Sequence, residues 1–349
     1  MQATSEVRAG PVAEPIGIGA QVLGAIGIAA IFMGLFGVYW DVGHHATLGR
    51  ESFWIPPHLP IYAGSALFFY ASLCGLLLTR RRARSFRAAL AARAGQGFAV
   101  AMLGSIVQVS AAPLDDLWHR LYGLDVTVWS PPHLMGVAGA LVGIYGMTCA
   151  LGAGVPRGER RGTPTIAEVN VVLLFAAALS LSTFAFGRLD FRLEMRDALF
   201  YPLLAGPLAA IPLVAAARYV GRFGAATAVA LVYTVFRFVA LQIFVGMGAF
   251  ENPALPIFLL VPALTVELAL LATKGRGVLL AALIFGPALV FGEWAFRATL
   301  AIPNWEPLEV VASLAVITLT AAAGALAGDW LQALMRPNEP PDHARRSGV

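Results

Sequence analysis

Ten long apolar runs, separated by short polar connections, constrain this chain more than any other feature. They fall near residues 16–40, 58–79, 95–114, 133–153, 164–187, 199–217, 224–249, 254–273, 277–299 and 309–333. Each is long enough to cross roughly 30 Å of hydrocarbon as a helix. In a chain of 349 residues that is 58% hydrophobic and 13% charged, with mean hydropathy +0.75, this much apolar surface exceeds what a soluble domain can bury. Lipid is the solvent the runs imply. Inside a bilayer every backbone polar group needs a partner within the protein, and the runs are rich in Ala, Leu, Val and Gly without period-2 alternation. The expected fold is therefore all-α: a polytopic transmembrane helical bundle of about ten helices.

Basic residues test this count, because cytoplasmic connections keep Arg and Lys while exported ones lose them. Arg80, Arg81, Arg82, Arg84, Arg87 and Arg93 follow the second run; Arg157, Arg160 and Arg161 the fourth; Arg218 and Arg222 the sixth; Lys274 and Arg276 the eighth; Arg336, Arg345 and Arg346 the tenth. With ten helices all of these share one side, which places both termini in the cytoplasm of a bacterial inner membrane and the other five loops outside. Residues 1–15 are polar, and the first run is too long for the core of a cleavable signal, so it reads as a retained helix. The chain divides into an N-terminal tail (1–15), a duplicated pair of hairpins (16–155), a six-helix membrane domain (164–333) and a polar tail (334–349). The net charge of +4 and pI near 9.3 come from these loop arginines, so nucleic acid is not an expected partner. The two cysteines, Cys74 and Cys149, lie inside apolar runs and suggest neither a disulfide framework nor a thiolate site.

The duplication is visible in the first two outward loops. After the first run the chain reads YWDVGHHATLGRESFWIPPHLPIYAG, and after the third PLDDLWHRLYGLDVTVWSPPHLMGVAG. Asp41, His45 and His58 of the first copy match Asp115, His119 and His133 of the second, with one extra residue before the last His. Gly49 aligns with Gly123, Glu51 with Asp125, Trp54 with Trp129, Pro56-Pro57 with Pro131-Pro132, and Leu59 with Leu134. Five of the chain's six histidines lie in these segments. His44 has Trp118 at its equivalent position, and His343 belongs to the polar tail.

Metal chemistry accounts for these residue types. Asp and His four apart project from one helix face, and a third ligand arrives where the next helix starts, its backbone held by a Pro-Pro pair whose missing N–H groups cost nothing there. Two imidazoles and a carboxylate suit copper, iron or zinc and leave a coordination position open. Arg50, Glu51 and Asp125, with Trp54 and Trp129, are candidates for the shell around the ligands. Spacing leaves open whether the six residues form two mononuclear sites or one dinuclear site. No nucleotide, haem or flavin motif is present.

The segment Asp-x3-His-x12-His, with Arg50, Glu51, Ser52, Phe53 and Pro56 leading to His58, resembles the C subunit of copper membrane monooxygenases, the family of the particulate methane and ammonia monooxygenases. The resemblance covers about forty residues. It implies copper at Asp41, His45 and His58, within the membrane near its outer face, in a protein that works with companion membrane subunits. The second copy, the extra residue and the ten-helix length depart from that pattern.

The second half holds intramembrane charges instead of a third motif. Arg237 and Glu267 each lie about thirteen residues from the outer loop that joins their runs, so helical rise puts them at similar depth, where they are expected to pair. Arg188, Asp190, Arg192, Glu194, Arg196 and Asp197, with Glu293 and Arg297, are placed either to line an entrance above the metal region or, the reading preferred, to form a solvated outer rim. Three functions follow from different classes: a copper-dependent, monooxygenase-like oxidoreductase acting on a small apolar substrate from the lipid; a metal transporter or metal-delivery protein; and a non-catalytic subunit of a membrane complex in which metal staples helices.

Overall fold

A computed structural model of the chain describes residues 17–47, 52–123, 129–156, 162–183, 196–248 and 257–336. Among them are eleven helices and no strand: α1 (Ile18–Thr47), α2 (His58–Arg82), α3 (Phe86–Ala91), α4 (Arg93–Tyr122), α5 (Pro131–Gly152), α6 (Ile166–Ser182), α7 (Phe200–Val220), α8 (Ala225–Gly246), α9 (Leu260–Ala272), α10 (Val278–Thr299) and α11 (Pro307–Met335). Every apolar run has its helix. Eight are long and apolar enough to cross a membrane, while α6 and α9 are shorter apolar helices of 17 and 13 residues. The six-residue α3 corresponds to no apolar run; Ser85 caps it by accepting from Ala88 N at 3.1 Å.

The largest departure from the expected boundaries lies at the ends of α1 and α4. Both continue about two turns past the apolar stretch, to Thr47 and Tyr122. Hydropathy falls at the first Asp, but the i to i−4 hydrogen-bond ladder does not depend on side-chain polarity. At 30 residues each helix is about 45 Å long, more than the hydrocarbon needs. The surplus carries Asp41, His45, Asp115 and His119.

The two hairpins pack by the same backbone contacts. A Cβ built on Gly64 would lie 2.6 Å from Ala30 O and 2.8 Å from Gly34 N; one on Gly139 would lie 2.8 Å from Gly104 O and 2.6 Å from Gln108 N. Gly64 and Gly139 each follow the second ligand His by six residues, and Ala30 and Gly104 each precede the first by fifteen. Equivalent atoms therefore touch in both copies, so α1 with α2 and α4 with α5 are one supersecondary unit used twice. Small residues at such crossings let helix axes approach where lipid gives no hydrophobic drive. Phe68, Phe98, Met147 and Leu151 fill the space between the hairpins, and Leu174, Ala177 and Leu181 of α6 complete that core. A second, larger core joins α6 to α11 and reaches Cys149 of α5.

The basic connections meet at one end of the bundle. Arg93 Nη2 donates to Leu334 O at 3.3 Å, Arg218 Nε to Asp329 at 2.7 Å and Arg218 Nη1 to Gly275 O. Arg222 binds Glu168 and Gly162 O, and Arg336 donates to Arg218 O. Five connections separated by pairs of helices thus share one face, as the count of runs requires. Arg157, Arg160, Arg161, Arg345, Arg346 and His343 lie outside the described residues.

Two expectations about charges are corrected. Arg237 and Glu267 do not pair: the Glu267 carboxylate accepts from Ala226 N at 2.6 Å and Thr227 Oγ1 at 2.7 Å, ten and more residues before Arg237, or about 15 Å along α8. Arg237 instead donates to Thr183 Oγ1 at 2.8 Å and lies 4.4 Å from the Tyr39 ring centroid. Depth counting failed because α9 begins later than its apolar run, at Leu260, which moves Glu267 along the bundle. Nor are Arg196, Glu293 and Arg297 a solvated rim. Arg196 and Glu293 form a 3.0 Å pair with both side chains fully buried, Tyr201 Oη donates to Glu293 at 3.3 Å, and Arg297 donates to the Arg196 and Pro303 carbonyls. Asp197 is exposed and accepts from Leu199 N and Phe200 N at the start of α7. Arg188, Asp190, Arg192 and Glu194 lie outside the described residues.

Gly64→Ala and Gly139→Ala are each expected to lower stability by about 1–3 kcal/mol, because the new methyl would overlap a backbone carbonyl. Gly246→Ala, with no atom within 4 Å of the added carbon, serves as the neutral control. Thermal unfolding in detergent measures the difference.

Candidate metal centre

Each copy of the motif closes into a triad. Asp41 and His45 sit one turn apart on the last part of α1, and His58 is the first residue of α2, entered through Pro57. Asp115 and His119 occupy the same places on α4, and His133 follows Pro131 and Pro132 in the first turn of α5. The one-residue difference between loops is absorbed before the Pro-Pro pair. In the first triad Asp41 Oδ1 lies 3.3 Å from His45 Nε2 and 3.1 Å from His58 Nε2. In the second, Asp115 Oδ2 lies 3.3 Å from His119 Nε2 and Oδ1 lies 3.4 Å from His133 Nε2. The paired imidazole rings stand 6.4 Å apart at 62° in one copy and 6.4 Å apart at 64° in the other. Within each triad one ligand atom from every residue lies within 4.8 Å of the others, and all three residues are partly buried.

Hydrogen bonds on the far side of the rings fix which nitrogen faces the carboxylate. His58 Nδ1 lies 3.1 Å from Phe53 O, and His119 Nδ1 lies 3.1 Å from Gly123 O. A carbonyl only accepts, so Nδ1 carries the proton in both, and the lone pair of the neutral ring sits on Nε2, toward the Asp. Gly123 reaches this position with φ of +85°, where a side chain is disfavoured. Its carbonyl turns back to the imidazole four residues earlier while its N–H closes α4 on His119 O. Gly49 holds the equivalent place in the sequence and lies outside the described residues.

The residues present fit a metal ion. With His58 and His119 neutral, their Nε2 lone pairs face the carboxylate, an arrangement that a cation between the groups would complete. The four N···O distances run from 3.1 to 3.4 Å, from one oxygen of Asp41 to both imidazoles in the first triad and from the two oxygens of Asp115 to one imidazole each in the second. Backing carbonyls on the non-ligating nitrogens are the arrangement that orients metal-binding histidines.

A cavity of about 510 Å³ is lined by His58 and Tyr62 of the first copy and by Asp115, Asp116, His119 and Arg120 of the second; Asp41, His45 and His133 do not line it. Tyr62 Oη lies 3.2 Å from His58 Nδ1 and donates to Phe53 O at 3.2 Å. Its ring stacks on Phe53 at 5.1 Å, and Trp54 meets it edge-on at 6.0 Å. Trp54 is largely exposed and packs edge-on against Phe53 at 4.9 Å as well as Tyr62; Trp129 is half exposed. Asp116 and Arg120 pair at 2.7 Å on the cavity wall. Arg50, Glu51 and Asp125 lie outside the described residues.

Sequence reasoning passed over Tyr62 and did not give Gly123 its role. Tyr62 stands four residues after His58, one helical turn, which is the spacing at which it can reach the ligand; the second copy has Val137 there. Compared with protein-family models, with curated proteins and with solved structures, the chain matches none.

Gly123→Ala is expected to cost about 1 kcal/mol through its positive φ and to free His119 from a single tautomer. Nitrogen-15 NMR of labelled histidine would then show a second His119 signal pattern while His58 stays unchanged.

Proposed function

We propose that this multi-pass membrane protein is a metalloprotein that holds one ion in each Asp-His-His triad. The observation that carries the reading is the repetition of one ligand geometry, to within 0.3 Å in N···O distance and 2° in ring angle, on two separate helical hairpins. Capping or interfacial roles do not require two imidazoles from different helices to aim the same nitrogen at one carboxylate. Because each triad is complete in itself, the arrangement favours two mononuclear sites facing a common cavity.

Copper is the proposed metal, on the donor set and on the resemblance to the copper monooxygenase C subunit; iron and zinc suit the same three ligands less specifically. With three protein ligands the bound ion keeps a position open for dioxygen, water or substrate and supplies redox or Lewis-acid chemistry there. The chain's own residues do the rest. Asp41 and Asp115 balance charge, the carbonyls of Phe53 and Gly123 hold His58 and His119 in the ligating tautomer, and the cavity admits a small molecule to His58 of one triad and to Asp115 and His119 of the other. Oxidation of a small apolar substrate that partitions into lipid is the activity we assign, with companion membrane subunits and a redox partner as its setting. The arginine-rich end faces the cytoplasm in this reading, and the triads lie near the outer face of the inner membrane.

Transport of metal through the bundle is disfavoured by Glu267, whose carboxylate is engaged by the start of α8 and offers no relay toward Arg237.

Purified wild-type protein loaded with copper, iron or zinc is expected to retain two ions per chain, and His45→Ala and His119→Ala one each. Elemental analysis reads the count, and wild-type protein without metal above background would end the proposal. Oxygen consumption with small apolar substrates, lost in both variants, then separates the oxidoreductase from a structural metal site. Tyr62→Phe is expected to weaken the first site roughly tenfold while sparing the second, the effect of losing an outer partner of a ligand histidine; competitive metal titration measures it.

A further inference from the structure

We infer that the connection between α2 and α4 is a binding surface for anionic phospholipid headgroups. Residues 80–93 contain Arg80, Arg81, Arg82, Arg84, Arg87 and Arg93 and no carboxylate. The guanidinium groups of Arg93, Arg218, Arg222 and Arg336 on the same end of the bundle have protein acceptors, and Arg80 donates to Ala83 O. Arg81, Arg82, Arg84 and Arg87 differ. All four are exposed, and among the described residues no carboxylate lies within ion-pair distance of any of them. Four like charges within seven residues repel one another, so this segment is favoured where anions come from outside the chain.

Its place in the fold says which anions. The α2 span ends at Arg82 and the α4 span starts at Arg93, so the whole connection lies at one membrane boundary. Between them α3 rests on the bundle through Ala89, which is fully buried, while Phe86 is 52% exposed. A short helix with an outward aromatic residue and flanking arginines matches the level of the headgroups, where the ring enters the acyl boundary and the guanidinium groups stay in the polar layer. Arg82 extends the row toward the start of α1, its guanidinium lying beside Gly17. A phosphodiester presents one negative charge and two free oxygens, which an Arg fork binds through two parallel hydrogen bonds. The inference does not depend on the metal sites.

The test uses full-length protein in nanodiscs of mixed phosphatidylglycerol and phosphatidylcholine, with retained lipids counted by native mass spectrometry. Wild type is expected to enrich phosphatidylglycerol. Replacing Arg81, Arg82, Arg84 and Arg87 together by Gln should cut that enrichment roughly tenfold or more, with graded losses for the single changes. Replacing all four by Lys should keep much of it, since the charge remains. Lys274→Gln with Arg276→Gln, which removes charge from another connection on the same end, should leave it intact. Absence of preference in wild type, full enrichment in the fourfold Gln variant, or an equal loss in the Lys274/Arg276 control would each overturn the inference. So would complete displacement of the lipid by millimolar inorganic phosphate, which would mark a site for the free anion.

Discussion

Two imidazoles from different helices meet one carboxylate in each triad, and one end of the first four long helices is built around that convergence. Asp41 and Asp115 are fixed by their helices, His45 and His119 follow one turn later on the same face, and His58 and His133 arrive from the next helix behind paired prolines. The carbonyls of Phe53 and Gly123 then hold one ring of each triad at Nδ1, with Nε2 toward the carboxylate. The polypeptide thus gives up conformational freedom to hold a carboxylate and two imidazoles together.

The second half of the chain contributes by keeping α1 in register. Tyr39, two residues before Asp41, is fully buried; its hydroxyl donates to Ser180 O at 2.8 Å, and Arg237 lies over its ring. Phe36, Trp40 and Phe244 pack around it. Further along, the Arg196–Glu293 pair binds the start of α7 to α10. Burying such a pair brings little net stability, but removing one partner leaves a charge in the interior at a cost of about 3–5 kcal/mol, so the pairing specifies which helices lie side by side. In lipid, where apolar packing distinguishes neighbours weakly, polar contacts of this kind do the sorting.

Much of this was legible in the sequence, for identifiable reasons. Bilayer thickness sets run length, so all ten helices were readable, and short-range geometry makes Asp-x3-His a one-face pair wherever a helix continues. The duplication could be read because the repeated residues are rare types, His, Trp and Pro, against a background of Ala, Leu and Val. Azimuth was not readable. Hydropathy that is high all round a helix gives no preferred face, so the partners of Arg237, Glu267 and Glu293 depended on rotations that depth counting cannot supply. Gly64 and Gly139 were hidden for the opposite reason: in a chain with 36 glycines, two at crossings look like the rest.

The two copies have since diverged at one telling position. Tyr62 supports the first triad, and its counterpart is Val137, which has no hydroxyl to give. Twin pockets of the same make are thereby unequal neighbours, one braced by a phenol and an aromatic stack and one not. A disturbance of that stack is felt at His58 and not at His133, so the two triads answer separately to changes in their surroundings.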